Sequence, residues 1–312
     1  MKNDTASAPK QLVTNEVSKS SKLWKEIRKN KILYLFISPF YILFLAFGVF
    51  PILYSIFLSF QSWNGLGDIK FVGLAQFQYM LTEPVFWTAL GNTFAIWFIS
   101  SVPMLLFAMI IAVMLNVPLL RFRGVYRTLF FVTNVTSIVA VAIIFQSIFN
   151  NEYGLLNYFI SLFGVDPVAW INNSTLVKFV LGSMVVWRFT GYNAIIYLAG
   201  LQSVPQAMYE AAKIDGASPI QTFFKITIPI MKPVILFTII MTTIGSMQLF
   251  TEPQILLGDD GGIGSSGLTL SLYMYNEAFL QSQFGYAAAV SWALFILIGG
   301  FSLINWKFVN RL

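Results

Sequence analysis

Six runs of mostly apolar residues, separated by polar or turn-rich breaks, leave this 312-residue chain few ways to fold. A helix needs roughly 20 such residues to cross a hydrocarbon core of roughly 30 Å. The runs cover residues 32–60, 92–115, 125–149, 176–201, 234–250 and 286–308. Lipid offers no partner to a free backbone N–H, so each run must bond within itself, which predicts an all-α integral membrane protein with six transmembrane helices. Composition points the same way. With 57% hydrophobic and 10% charged residues, the chain lacks the polar surface that a water-soluble domain needs. The first run is long and carries Pro39 and Pro51, which predict a tilt or kink, and the fifth is the shortest.

The net charge of +6 is distributed by loop. Lys and Arg crowd residues 1–31, then recur as Arg121, Arg123 and Arg127, as Lys213, Lys225 and Lys232, and as Lys307 and Arg311. The alternate loops hold Lys70 and Lys178 among Asp68, Glu83, Glu152, Asp166, Glu252, Asp259, Asp260 and Glu277. Because basic loops stay on the cytoplasmic side, the pattern predicts both termini cytoplasmic and an even number of spans. Topology thus accounts for the basicity, and no nucleic-acid partner is expected. Residues 1–31 are too polar for the leading region of a secretory signal and read as a disordered basic cytoplasmic tail.

The chain has no Cys and no His, which removes disulfides, thiolate nucleophiles, imidazole bases and metal sites built on those ligands. It also lacks a Gly-rich loop ending in Gly-Lys-Ser/Thr, so it is not expected to be an enzyme or to bind ATP itself.

One cytoplasmic loop, 203–229, is long and patterned. Ser203 with Gln206, and Ser218 with Gln221, both fit an N-cap and its capping-box partner, while Gly216 fits a left-handed helix end. The spacing predicts a helix, a glycine turn and a second helix ending near Pro229. Ala211 and Ala212 offer a small surface for another protein, with Glu210 and Asp215 as polar anchors beside it. A helix lying on anionic headgroups fits less well, since it would place those two carboxylates unfavourably and lacks Leu or Trp for insertion.

The run EAAKIDGAS at 210–218, followed by ITIPIMKP at 226–233, resembles the EAA loop of permease subunits of binding-protein-dependent ABC importers. GLLNYFISLFG at 154–164, ALGNTFAIW at 89–97, AGLQSVP at 199–205 and LYMYNEAF at 272–279 resemble the carbohydrate branch, of maltose and glycerol-phosphate type, over nearly all the chain after residue 32. Two departures stand out: Ile228-Pro229 replaces a usual Leu-Pro, and Gly261, Gly262 and Ile263 replace Gly-Gly-Pro in a loop that is expected to be more flexible for it. The resemblance implies the type I ABC importer permease fold in a bacterial plasma membrane. Residues 32–85 would form the first transmembrane helix and external loop, 86–308 the permease core, and 309–312 the cytoplasmic C-terminus. It implies a second permease subunit, usually a different one, two cytoplasmic ATPase subunits that use ATP and Mg, an extracellular or periplasmic solute-binding protein, and a sugar cargo. Glu210, Ala211, Ala212, Asp215 and Gly216 would couple to the ATPase.

A sugar path needs hydrogen-bonding side chains and aromatic platforms near mid-membrane. Arg188 lies in the middle of the fourth run, where a charge is costly. Tyr192 and Asn193 accompany it, and Asn134, Thr136, Ser137, Ser246 and Gln248 could converge on the same space. By resemblance to the maltose-type permease, Asn134, Arg188, Tyr192 and Gln248 fall near positions lining the sugar site. The plainer reading is that these groups tie helices together and that Arg188 pairs with a carboxylate or helix end of a partner subunit. Trp63, Trp87 and Trp170 fit interfacial anchors. The alternatives are an ABC permease for an anionic or other non-sugar solute, a secondary transporter, which would want intramembrane acids that the runs lack, and a membrane enzyme or insertase, for which Arg188 alone is a poor site.

Overall fold

The computed structural model describes residues 24, 26–117 and 120–311; residues 1–23 and 25 of the 1–31 tail lie outside them, while 24, 26–29 and Lys31 are helical. The chain divides into one unit up to Ser55 and another from Ile56 to Leu312.

The first unit holds helix α1 (Lys31–Phe44) with Pro39 inside it, a π-helical turn at Leu45–Val49, and the start of helix α2 (Phe50–Ser59). Nothing in α1 is buried, which suits a helix solvated by lipid.

The second unit opens on a two-stranded antiparallel ladder, Gln61–Ser62 against Lys70–Phe71, and the short helix α3 (Ala75–Thr82). Helix α4 (Pro84–Asn116) starts ahead of the apolar run because Glu83 caps it, accepting from the Val85 N–H at 3.4 Å, and Pro84 pre-sets its first turn. It packs along helix α8 (Leu176–Gln202). Ile96 and Met104 meet Val180, Leu181 and Val185, whereas Ala108, Ala112 and Leu115 meet Ala194, Leu198 and Leu201. The residues pair in the same order along both helices, so α4 and α8 run parallel and the chain between them must return. Small residues allow the close approach: a Cβ on Gly182 would stand 2.8 Å from Ile99 Cγ2.

The returning segment is not the single helix the sequence predicts. It breaks into α5 (Arg123–Val135) and α6 (Ile138–Ile148), bent 92° apart, with Thr136 and Ser137 extended between them. Hydroxyl bonds flank the break. Thr133 Oγ1 donates to the Phe130 carbonyl at 2.9 Å and to that of Arg188 at 3.2 Å, and Thr136 Oγ1 to that of Val132 at 2.8 Å. These side chains share carbonyls with the backbone in the last turn of α5, where the Thr136 N–H also bonds that of Val132 at 3.0 Å. On the described residues, five helices are long and apolar enough to cross a membrane, or six if the bent pair is one span.

After the short helix α7 (Leu155–Ser161), α8 leads to helix α9 (Gln206–Ile214) and the turn α10 (Pro219–Thr222). The chain does not stop near Pro229. A π-helical turn at Phe223–Thr227 carries it into α11 (Ile228–Met247), followed by α12 (Thr251–Leu257). Proline removes the bond to residue i−4 and its ring clashes there, and a widened turn just before it relieves both. Pro51 and Pro229 each stand two residues beyond such a turn.

The last elements are α13 (Leu270–Tyr275), a π-helical turn at Asn276–Leu280, and α14 (Phe284–Arg311). Thr269 ties α13 to the end of α11, donating to the Leu249 carbonyl at 2.6 Å. The glycine- and serine-rich loop is held where flexibility was expected: Asn92 Nδ2 donates to the Ser265 and Leu268 carbonyls at 2.7 and 3.0 Å. Trp170 is not a free anchor. It is half-buried, with Nε1 donating to Asn157 Oδ1 at 2.8 Å.

Candidate functional site: a cavity between spanning helices and an exposed loop

The loop between α8 and α11 is built from its caps. Helix α9 closes on Gly216, whose φ of +72° suits glycine. The Ala217 N–H reaches the Ala212 carbonyl at 2.9 Å and the Gly216 N–H that of Lys213 at 3.2 Å, a Schellman closure. Ser218 and Gln221 form the capping box, with Gln221 N donating to Ser218 Oγ at 3.3 Å and Ser218 N to Gln221 Oε1 at 2.9 Å. The similar start expected at Ser203 is absent. Its Oγ turns back to the Gly200 carbonyl at 2.7 Å, and Pro205 occupies the N-cap of α9 without a side-chain bond.

Glu210, Ala211, Asp215 and Gly216 are exposed, as a docking surface requires. Ala212 is not part of that surface: at 5% exposure it packs inward, so its small size seats α9 on its own subunit. Sequence reasoning passed over Ile214, which is 87% exposed on the same loop. Its signal was a large apolar residue at a helix end beside charged ones.

Within the membrane segments, the candidates do not converge on one space. Tyr192, Asn193 and Ser246 line a cavity of about 140 Å³ with Met104, Val185, Phe189, Met241, Thr242, Gly245 and Leu249. Asn193 Nδ2 donates to the Phe189 carbonyl at 3.0 Å, and Ser101 Oγ donates to Ser246 Oγ at 3.4 Å. Gln248, at the C-cap of α11, lines a second hollow of about 420 Å³ with Phe250, Ser271, Met274, Tyr275, Ser291, Leu294 and Phe295. Asn134, Thr136 and Ser137 sit at the end of α5 and in the break, lining neither. Both hollows combine hydroxyl or amide groups with aromatic rings, and neither has a charged lining residue.

Arg188 lies beside the first of these cavities. Its guanidinium sits 5.2 Å from the centroid of the Phe189 ring, a cavity wall, and Nη1 donates to Glu252 Oε1 at 3.3 Å. Glu252 is 5% exposed, so it is a buried carboxylate and not the outer-loop residue expected from the end of the apolar run at 250. Its helix, α12, packs against α6. The partner of Arg188 is thus in its own chain.

Near the acidic-loop end of α14, Tyr273 and Tyr286 hydroxyls lie 3.0 Å apart. Partial burial, and then the Glu83 carboxylate, push the Glu277 carboxyl above its ordinary range.

The model of one protein family, described as "binding-protein-dependent transport system inner membrane component", matches residues 86–306. The lactose transport system permease protein LacF of Rhizobium radiobacter is 41% identical over 276 residues, covering 87% of this chain and 92% of that protein. The arabinooligosaccharides transport system permease protein AraP of Bacillus subtilis is 35% identical over 287 residues, covering 91% of each. Among solved structures, a chain of a bacterial ABC transporter that imports the acidic polysaccharide alginate superposes with a TM-score of 0.79 at 24% identity, covering 93% of this chain and 99% of that one, a likeness of fold.

Proposed function

We propose, on the premise that this chain belongs to the family of binding-protein-dependent transport system inner membrane components, that it is the permease subunit of an ATP-driven importer of a sugar or oligosaccharide. It is a multi-pass protein of the bacterial plasma membrane. The observation that carries the reading is the exposed α9–Gly216–α10 loop, joined without interruption through a π-helical turn to a membrane-spanning helix. A chain without a phosphate-binding loop must draw its energy from elsewhere, and this loop is a handle on the spanning bundle.

In the proposed mechanism, one of two ATPase subunits, which hold ATP and Mg, grips the loop through Ala211, Ile214 and Asp215. Its closure moves α11 as a body, and access to the cavity alternates between the two sides of the membrane. Six spans with both termini cytoplasmic, and the division into 32–85 and 86–308, complete this reading. A second permease subunit, different from this one, supplies the other half of the path. A solute-binding protein delivers the cargo, as the family description implies.

The test is reconstitution in nanodiscs with the ATPase, the second permease and the receptor. ATP hydrolysis should rise with receptor plus one of lactose, arabino-oligosaccharide or maltose. An intact, assembled complex in which no saccharide stimulates hydrolysis overturns the sugar cargo, and a permease to which no ATPase binds overturns the importer reading.

A further inference from the structure

We infer that Glu252 is the resident counter-ion of Arg188 and sets the charge preference of the path: the paired cation leaves a neutral cavity that accepts uncharged cargo, and an unpaired one would draw in anions. An isolated guanidinium between spanning helices is a strong attractor for carboxylate, sulfate or phosphate groups, because low dielectric amplifies its field. Here that field is cancelled locally. Nη1 is bonded at 3.3 Å to a carboxylate that is itself 5% exposed, and the side chain of Arg188 is 18% exposed. The guanidinium lies over the Phe189 ring, whose other contacts include the cavity holding Tyr192, Asn193 and Ser246. Those lining groups are neutral donors and acceptors, which suit hydroxyls and offer nothing to a negative charge. A cargo carboxylate entering the cavity would have to displace Glu252 from Arg188 and would then face it as a like charge.

The inference rests on the importer reading for what the cavity serves, but its electrostatics can be read with no cargo present. Because the chain has no cysteine, Tyr192→Cys creates a single thiol on the cavity wall. The variant, assembled with its partner subunits in nanodiscs, is treated with methanethiosulfonates of three kinds: neutral hydroxyethyl, anionic sulfonatoethyl and cationic trimethylammonioethyl. With the pair intact, the anionic reagent should react no faster than the neutral one, after each rate is divided by its rate with a free small thiol. Glu252→Gln should raise that anion preference about tenfold, and salt should diminish the gain. Arg188→Gln, which leaves the carboxylate alone, should shift preference to the cation, and the double variant should return to the starting ratio.

An anion preference already present with the pair intact, or ratios that neither single variant moves, would overturn the inference. So would a thiol that no reagent reaches, since the cavity would then not be on an open path. If Glu252→Gln fails to assemble, the opposite shift in Arg188→Gln decides the matter. The sugar reading fails separately: no neutral saccharide stimulates ATP hydrolysis, while the reagent ratios behave as described.

Discussion

Arg188 and Glu252 meet at 3.3 Å across 64 positions of sequence, joining α8 to the short helix that follows α11. Removing one partner of a buried pair leaves the other charge desolvated, which costs more than the pair contributes. Arg188→Met or Glu252→Gln should each destabilise the subunit by about 3 kcal/mol, and the double variant should recover most of that loss. Thermal unfolding in one detergent checks this, and additive losses in the double variant would refute the coupling.

Two glycines should respond oppositely to alanine. A Cβ on Gly191 would overlap the Phe130 carbonyl of α5, a backbone atom that cannot swing away, whereas one on Gly245 meets nothing within 4 Å. Gly191→Ala should cost about 3 kcal/mol or prevent folding, as overpacking against backbone does. Gly245→Ala should be neutral or stabilise by about 0.5 kcal/mol through helix propensity. Yield and unfolding temperature read both.

On the cytoplasmic loop, Ile214→Asp should reduce ATPase-subunit binding about tenfold or more while leaving the permease fold intact, since the side chain is 87% exposed and makes little of its own subunit's core. Gly216→Ala should act differently. Nothing lies within 4 Å of an added Cβ, so its cost is the φ of +72°, about 1 kcal/mol, felt as a frayed α9. Pull-down of the ATPase subunit separates the two effects from loss of fold.

Glu277 predicts a pH dependence. Its folded-state carboxyl titrates above the ordinary range because burial, and then the charge of Glu83, disfavour ionisation. The associated stability is present below the unfolded carboxylate range and is lost as pH rises through the raised value. Glu277→Gln should therefore be more stable than the parent at about pH 8, with the advantage fading toward about pH 4. An advantage of equal size at both ends would refute the assignment.

The spanning segments were legible because lipid imposes one rule on every one of them: roughly 20 apolar residues bonded within themselves. Gly216, Ser218 and Gln221 were legible because capping is local chemistry. What escaped were decisions made by contacts distant in sequence. Nothing near Thr136 distinguishes it from a threonine inside a straight helix; its turn is lost where Thr133 also reaches Arg188. Glu252 looked like a loop residue because the apolar run ended before it, and only the packing of α12 against α6 buries it. Pro229 signalled a helix end, and the π-helical turn that contradicts it has no short sequence mark. Ala212 and Ala211 are neighbours of one residue type, and which of them faces outward depends on where α9 is seated.

The widened turn ahead of Pro229 has a mechanical consequence. An α-helix is stiff along its axis and bends most easily where a π segment or proline interrupts its bond ladder. The stretch from Pro219 to Met247 is such a rod with a compliant joint close to its loop end. A sideways push on the loop flexes the joint and is absorbed there, while a thrust along the rod is carried through α11. The subunit is therefore built to respond to the direction of the force applied to it, and not merely to its size.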